Sequence, residues 1–331
     1  MPALQRIVIT GSSGAYGRAL VREIRRSCAG AIVLGLDRKP ALSSAPHRFW
    51  QGDIRTAEAA ATIDSFRPDT VIHLAYAVQP GHDLRSMESV NVNGTRAVLA
   101  AAAACGAARL LVASSGTVYG AWPDSPPICD ESTPLRPRPD YYYSRHKGIV
   151  EQELAAFAAT HPQVAVAWTR PAIICGPGVK NFLTDIFLTM PWMMLPDGYD
   201  TPLQFVHEDD VACGTLAILA SGGRGPFNLA PESVVTQRQM AEAMGIAAIP
   251  LPFFLLEAFT RVWWTLRLPW IATPPGLVHY LRYPWVMTSR RLENECGFIC
   301  SHSSGRAFRT LLRPATVSDS HTAPAHRRGA P

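Results

Sequence analysis

The stretch Thr10-Gly11-Ser12-Ser13-Gly14-Ala15-Tyr16-Gly17 constrains this chain more than any other. It follows Arg6–Thr10 (RIVIT), a β-branched apolar run that reads as a buried strand, and it leads into a helical pattern from Ala15 to about Arg26. Three glycines in such a turn have separate duties. Gly11 permits the tight turn, Gly14 lets a pyrophosphate approach the backbone, and Gly17 lets the helix pack closely on the sheet. The free N–H groups at the start of the helix then face the phosphates. Gly11, Ser13, Gly14, Ala15, Tyr16 and Gly17 are therefore the expected contacts of a dinucleotide cofactor. Asp37 stands twenty residues beyond Gly17, at the end of a second strand, Ala31–Leu36, where a carboxylate can take the adenosine ribose hydroxyls. That favours NAD over NADP, although Arg38 and Lys39 beside it are cations of the kind that hold a 2′-phosphate. Asp53 and Ile54 follow a third short strand and are expected to flank the adenine.

Further apolar runs at Thr70–Leu74, Arg109–Ala113 and Val164–Thr169 alternate with helical stretches at Ala57–Phe66, Met87–Ala104 and Tyr142–Ala159. Alternation of this kind predicts an α/β fold, a Rossmann-type doubly wound parallel sheet, with a smaller C-terminal substrate domain. Residues 1–171 form the expected NAD(P)-binding domain, with 203–230 returning to it through strand-like pieces at Leu203–Val206 and Pro226–Ala230. Residues 172–313 form most of the substrate domain. Residues 314–331, rich in Ser, Thr, Ala, Pro and Arg, read as a disordered tail.

The chemistry is signalled by Tyr143-Ser144-Arg145-His146-Lys147. The chain has 31 Lys and Arg together, of which only Lys39, Lys147 and Lys180 are lysines, so a lysine four residues after a tyrosine stands out. That spacing puts both groups on one helix face. A nearby ammonium is expected to pull the tyrosine pKa below its ordinary value near 10. Lys147 can also donate to ribose hydroxyls as a compact point charge. Ser115 and Thr117 follow the strand Arg109–Ala113, at the end where ligands of parallel sheets bind. Ser115 is the first choice for a hydroxyl that polarises a substrate oxygen, and Thr117 the second.

Bulk properties exclude other classes. The formal charge of +5 is spread along the chain, and the one dense basic run, Arg22–Arg26, reads as a solvated helix face, so nucleic-acid binding is not expected. Seven scattered cysteines without a CxxC pattern point to buried thiols in a reducing cytoplasm, with neither a disulfide framework nor a metal site. The N-terminal apolar run passes straight into the glycine turn and does not read as a signal peptide.

Taken with His73-Leu74-Ala75, Asn91-Val92-Asn93-Gly94-Thr95, Arg170-Pro171-Ala172-Ile173-Ile174-Cys175-Gly176-Pro177-Gly178 and Phe205-Val206-His207-Glu208-Asp209-Asp210-Val211, these motifs resemble the extended short-chain dehydrogenase/reductase family, in its NAD-dependent epimerase/dehydratase branch. The resemblance runs from Ile7 to about Phe298. It implies that Tyr143 is the general acid/base, that Lys147 holds the ribose and tunes Tyr143, and that Ser115 hydrogen-bonds the substrate oxygen. It also implies that Leu74, Ala75 and Pro171 line the cofactor, and that the chain is a homodimer built on the helices Met87–Ala104 and Tyr142–Ala159.

The chain departs from the pattern at several positions. Gly116 and Thr117 replace the Asp-Glu pair of the 4,6-dehydratases, which disfavours elimination of water. Leu203 stands where the sugar-nucleotide epimerases carry a diphosphate-gripping arginine, Ile173 where they carry an asparagine, and Arg282 is the one nearby substitute. The segment 252–270 is apolar and aromatic but too short and too charged to span a membrane. It reads as domain core, as the wall of an apolar pocket, or as a peripheral membrane contact. At least one of Phe253, Trp263 and Trp264 is expected to face the nicotinamide cleft. The expected function is an NAD-dependent oxidoreductase or epimerase acting on a hydroxyl or keto carbon of a small molecule, a nucleotide sugar by family habit. The alternatives are a reductase or dehydrogenase of a lipophilic alcohol or ketone, and a non-catalytic NAD(P)-sensing regulator.

Overall fold

The computed structural model describes residues 4–41, 46–268 and 273–312, so the expected tail at 314–331 and part of the 252–270 segment lie outside the described residues. The first half of the chain alternates strands with helices, apart from β2 and β3, which follow one another. β1 (Arg6–Thr10), α1 (Ala15–Ser27), β2 (Ile32–Asp37), β3 (Arg48–Gln51), α2 (Ala57–Phe66) and β4 (Thr70–His73) come first. They are followed by α3 (Leu84–Glu88), a π-helical turn (Ser89–Asn93), α4 (Gly94–Ala104), β5 (Arg109–Ala113), a 3-10 turn (Gly116–Tyr119), α5 (Tyr142–Thr160) and β6 (Ala165–Pro171). The second half is built of shorter pieces: β7 (Ile173–Cys175), α6 (Phe182–Thr189), β8 (Trp192–Pro196), β9 (Pro202–Leu203), β10 (Phe205–His207), α7 (Glu208–Ser221) and β11 (Gly225–Leu229). It ends with β12 (Val235–Thr236), α8 (Gln237–Met244), β13 (Ala247–Leu251), α9 (Phe253–Thr265), α10 (His279–Arg282), α11 (Arg290–Cys296) and α12 (Ser304–Leu312).

Seven strands form one parallel sheet in the order β11-β6-β5-β4-β1-β2-β3. This is the doubly wound Rossmann-type architecture. The period of two along β1 explains its two covered faces. Ile7 and Ile9 enter a core with Leu20 and Ile24 of α1 and Leu216 of α7, while Val8 enters a core with Ile63 of α2, Val98 of α4 and Leu154 of α5. The strand order reverses between β1 and β4, and a crevice opens there at the carboxyl ends of the strands.

The second half has its own core, in which Phe187, Phe205 and Phe308 meet, with the Phe205 and Phe308 ring centroids 5.1 Å apart. Of its strands, β11 joins the large sheet, whereas β10 pairs with β7, β12 with β9 and β13 with β8.

Two elements differ from the sequence reading. The single helix expected over Met87–Ala104 is interrupted at Ser89–Asn93. The π turn swings the Asn91 side chain onto the loop after β4, where its Oδ1 accepts the Ala77 N–H at 2.7 Å. The strand expected over Leu203–Val206 is split into β9 and β10, because the Gln204 side chain bonds Pro231 O, Met287 O and Met287 N.

Candidate active site

The glycine turn sits at the end of β1. Gly11 has φ +74°, and a Cβ there would meet Ala75 N at 2.6 Å, while one at Gly17 would meet Gly11 O at 2.4 Å. The turn, α1 and the Leu74-Ala75 backbone thus converge more closely than side chains permit. α1 starts with neither a side-chain cap nor an acidic residue in its first turn; the Gly14 N–H is taken by Gly11 O at 3.1 Å, and the leading N–H groups left to a ligand are those of Ala15 and Tyr16. A pyrophosphate fits such an end. The Tyr16 side chain takes no part in this cradle: its hydroxyl bonds Thr215 Oγ1 of α7 at 2.5 Å, so only its backbone is at hand. Asp37 closes the turn by accepting Ser13 N–H at 2.9 Å and Lys39 N–H at 2.9 Å, with Arg38 exposed beside it. Asp53 is engaged by Arg55 at 2.6 Å, which holds its carboxyl down at about 2, and Ile54 is buried under α4 against Gly94.

Ser115, Tyr143 and Lys147 come together at the ends of β5 and β6. Ser115 follows β5; Tyr143 and Lys147 share one face of α5. The N-terminal turn of α5 is anchored by Ser144, whose hydroxyl donates to Thr117 O at 2.8 Å, and by Tyr280, which donates to the same oxygen at 2.7 Å. Ser115 Oγ accepts from both Thr117 N at 3.2 Å and Thr117 Oγ1 at 3.0 Å. With its acceptor sites taken, the Ser115 hydroxyl is set to donate. Thr117 thus stands behind Ser115.

Lys147 is buried and donates from Nζ to Ala113 O at 2.6 Å. Burial lowers its pKa to about 7, with Glu151 acting the other way. Tyr143 corrects the sequence reading: its pKa is raised, to about 12, because burial outweighs a hydrogen bond with Ser115. The ammonium lies 5.7 Å from the Tyr143 ring centroid, too far to offset burial.

Two residues of the site, Tyr76 and Glu151, were missed in the sequence. Tyr76 inserts between the pair: Lys147 Nζ lies 3.5 Å from its ring centroid, its ring meets that of Tyr143 edge-on at 5.4 Å, and its buried hydroxyl has no partner among the described residues. Glu151, one turn beyond Lys147, forms a buried ion pair with Arg170 at 2.6 Å and accepts from Ser114 Oγ and Trp168 Nε1. Its position four residues after Lys147 was the available signal. His73 is neutral, with its pKa lowered to about 3 by burial, and its ring joins Thr10 of β1 to Thr95 of α4.

Ser115, Thr117, Tyr143 and Pro171 open onto a cavity of about 320 Å³. Its other walls are Ile173, Leu203, Phe182, Leu183, Ile186 and Phe187, and from α9 Leu256, Phe259 and Thr260. Among the described residues, no charged one lines it. Arg282 lies outside, paired with Asp197 at 3.0 Å and stacked 3.5 Å over the Tyr199 ring. Phe253, Trp263 and Trp264 do not line the cavity, against expectation. They pack instead on His279, Phe259 and His82, because the cavity opens over the middle turn of α9 and these residues lie toward its ends. Among the described residues no three His, Cys, Asp or Glu side chains are grouped to hold a metal, and no helix is long and apolar enough to cross a membrane.

Against known families, residues 7–230 match the family model described as NAD dependent epimerase/dehydratase family. The chain belongs to that family. Among curated relatives, the Mycobacterium tuberculosis protein Rv0501 is 28% identical over 275 residues, 80% of this chain and 70% of its own. The 3-diazoavenalumate denitrifying reductase of a Streptomyces species is 25% identical over 232 residues, 66% of this chain and 74% of its own. Among solved structures, the Thermus thermophilus UDP-glucose 4-epimerase in complex with NAD superposes with a TM-score of 0.73, covering 93% of this chain and 98% of that one at 21% identity. The cofactor of this chain, by its family, is NAD, and the α1 cradle and Asp37 fit it.

Proposed function

We propose that this chain is an NAD-dependent oxidoreductase that interconverts an alcohol and its carbonyl on a lipophilic small molecule. One observation carries this reading: the cavity onto which Ser115 and Tyr143 open has no charged residue among the described residues that line it. A nucleotide diphosphate there would forgo charge-assisted hydrogen bonds worth roughly 1.5–3 kcal/mol each. An alicyclic or isoprenoid group would instead bury apolar surface at about 25 cal/mol per Å². The relative from Streptomyces, a reductase by name, supports the same side of the family's chemistry.

The proposed roles follow from the site. Ala15 and Tyr16 hold the pyrophosphate through backbone N–H groups, Gly11, Gly14 and Gly17 let it approach, Ser13 borders it, and Asp37 takes the adenosine ribose. Asp53 and Ile54 flank the adenine, while Leu74, Ala75 and Pro171 border the cofactor. Bound NAD supplies hydride acceptance from the alcohol carbon, or as NADH its return to the carbonyl carbon. In reduction, Tyr143, a neutral phenol at physiological pH, gives its proton to the carbonyl oxygen as that oxygen gains charge. Ser115 donates a hydrogen bond to the same oxygen, a direction fixed by the two bonds it accepts from Thr117. Lys147 holds the ribose and supports the charge left on Tyr143. In oxidation each transfer runs backward. Seven free cysteines support a reducing cytoplasm. The alanine-rich outer faces of α4 and α5 support a homodimer.

The test is turnover with NAD or NADH across water-soluble alicyclic alcohols and ketones and across UDP-sugars. Apolar substrates are expected to give the higher kcat/KM. Preferred turnover of UDP-sugars would overturn the reading.

A further inference from the structure

α9 is amphipathic in the wrong sense for a helix at the surface of a soluble protein. Only Leu256 and Thr260 are buried, while Phe254, Leu255, Phe259, Val262 and Leu266 are 46–68% exposed. At 100° per residue these five, with exposed Ala258 among them, occupy one arc of about 140°. No acidic residue interrupts that arc. Arg261 is exposed at its margin, exposed Arg267 follows just past the end of the helix, and the one acid of the helix, Glu257, stands outside the arc beyond Arg261, paired with it at 3.0 Å and near His279. Contiguous apolar surface of this kind marks a contact. The helix is also one wall of the cavity: Leu256 and Thr260 face inward, and Phe259 both lines the cavity and is exposed. A single helix therefore has the cavity on one side and an uncovered apolar face on the other.

We propose that this face of α9 lies in the interface of an anionic lipid bilayer, which places the wall of the substrate cavity against the phase where an apolar substrate is concentrated. The partner is chosen by charge and continuity. Apolar side chains insert to the depth of the headgroups, and Arg261 at the margin and Arg267 past the helix end meet anionic lipid. The same residue, Phe259, belongs both to the inserted face and to the cavity. A second copy of the chain is the weaker occupant, since α4 and α5 offer it alanine-rich faces elsewhere. The proposal rests on the reading of an apolar substrate.

The experiment is sedimentation of the full chain with vesicles of phosphatidylcholine alone and of phosphatidylcholine with phosphatidylglycerol. The wild type is expected to partition onto both, more strongly onto the anionic vesicles. The double variant Leu255→Glu, Val262→Glu, which leaves the cavity lining intact, is expected to lose on the order of tenfold or more in partitioning. It should keep NAD binding, its melting temperature and turnover of a water-soluble ketone. Arg261→Gln with Arg267→Gln should remove only the preference for anionic vesicles. Absence of wild-type binding to either vesicle overturns the proposal, and so does equal binding by the Leu255/Val262 variant. A concentration-dependent dimer that the variant dissolves, without vesicle binding, would assign α9 to self-association and also overturn it. Turnover of soluble apolar ketones without vesicle binding refutes the role of α9 but keeps the proposed chemistry. Vesicle binding with UDP-sugar turnover does the reverse.

Discussion

At the scale of single residues, the site is governed by burial more than by mutual attraction of charges. Tyr143 and Lys147 are each driven toward their neutral forms. Tyr143→Phe is expected to lower turnover by roughly 10²–10⁴ while NAD affinity stays near wild type, because the phenol moves a proton and holds little of the cofactor. Wild-type turnover in that variant, measured at saturating NAD, would remove Tyr143 from the mechanism. Lys147 carries a pH signature. Its folded pKa near 7 lies below the ordinary value near 10.4, so the unfolded chain binds the extra proton between those values. Below pH 7 both states are protonated and the full cost of the buried ammonium is present. As pH rises through the window that cost fades and stability rises. Lys147→Met should therefore gain stability over wild type at pH 6, and the gain should shrink by a few kcal/mol toward pH 10. Denaturant melts of both proteins across that range test it, and a constant difference would contradict the buried-ammonium account. In the sequence, the Tyr143–Lys147 spacing was legible and the direction of the tyrosine shift was not. Spacing reveals which groups are neighbours, but burial depends also on Tyr76 and Tyr280, which distant segments bring in.

At the scale of elements, strands β1 and β5 and helix α2 coincide with their sequence readings to the residue, because each is bounded by a turn signal and buries a patterned face. Elements whose form depends on a polar side chain reaching out of them were not legible. Asn91 bends the helix before α4, and Gln204 divides β9 from β10, each by satisfying the backbone of another segment. The cavity walls were read in part. Leu203 and Ile173 appeared as losses of polar groups, and 252–270 as an apolar source, but α6 was not recognised, since a short apolar helix has no chemical marker. Buried Glu151 ties α5 to β6 through Arg170 and to the end of β5 through Ser114. Removing its charge strands a buried guanidinium, so Glu151→Gln is expected to cost about 3–5 kcal/mol in urea unfolding. A loss below 1 kcal/mol would show that Arg170 has another solution.

For the whole molecule, the proposed site takes its cofactor end from the large sheet and its substrate end from the small sheets and terminal helices. The described chain therefore has one catalytic crevice facing α6 and α9, with α4 and α5 on the other side of the sheet from α1 and α7. Exposed Ala100 and Ala104 on α4, with Ala155, Ala156 and Ala159 on α5, form a surface with little to obstruct another copy. A dimer through these helices predicts that Ala100→Arg with Ala156→Arg yields a monomer by light scattering at micromolar concentration. A wild-type monomer under the same conditions would contradict it.

The position of Tyr76 has a kinetic consequence. Its ring covers the Lys147 ammonium at 3.5 Å, the group assigned to the ribose hydroxyls. Association of NAD then cannot be a simple collision: the ring must first turn aside, and only the open fraction of molecules is competent. In stopped flow, the observed rate for wild type should level off with rising NAD concentration, at the rate of ring opening. For Tyr76→Ala it should stay linear in NAD, and the apparent Kd should fall by the factor that the closed form had withheld. A linear dependence in the wild type would mean that the tyrosine is a wall of the site and not its latch.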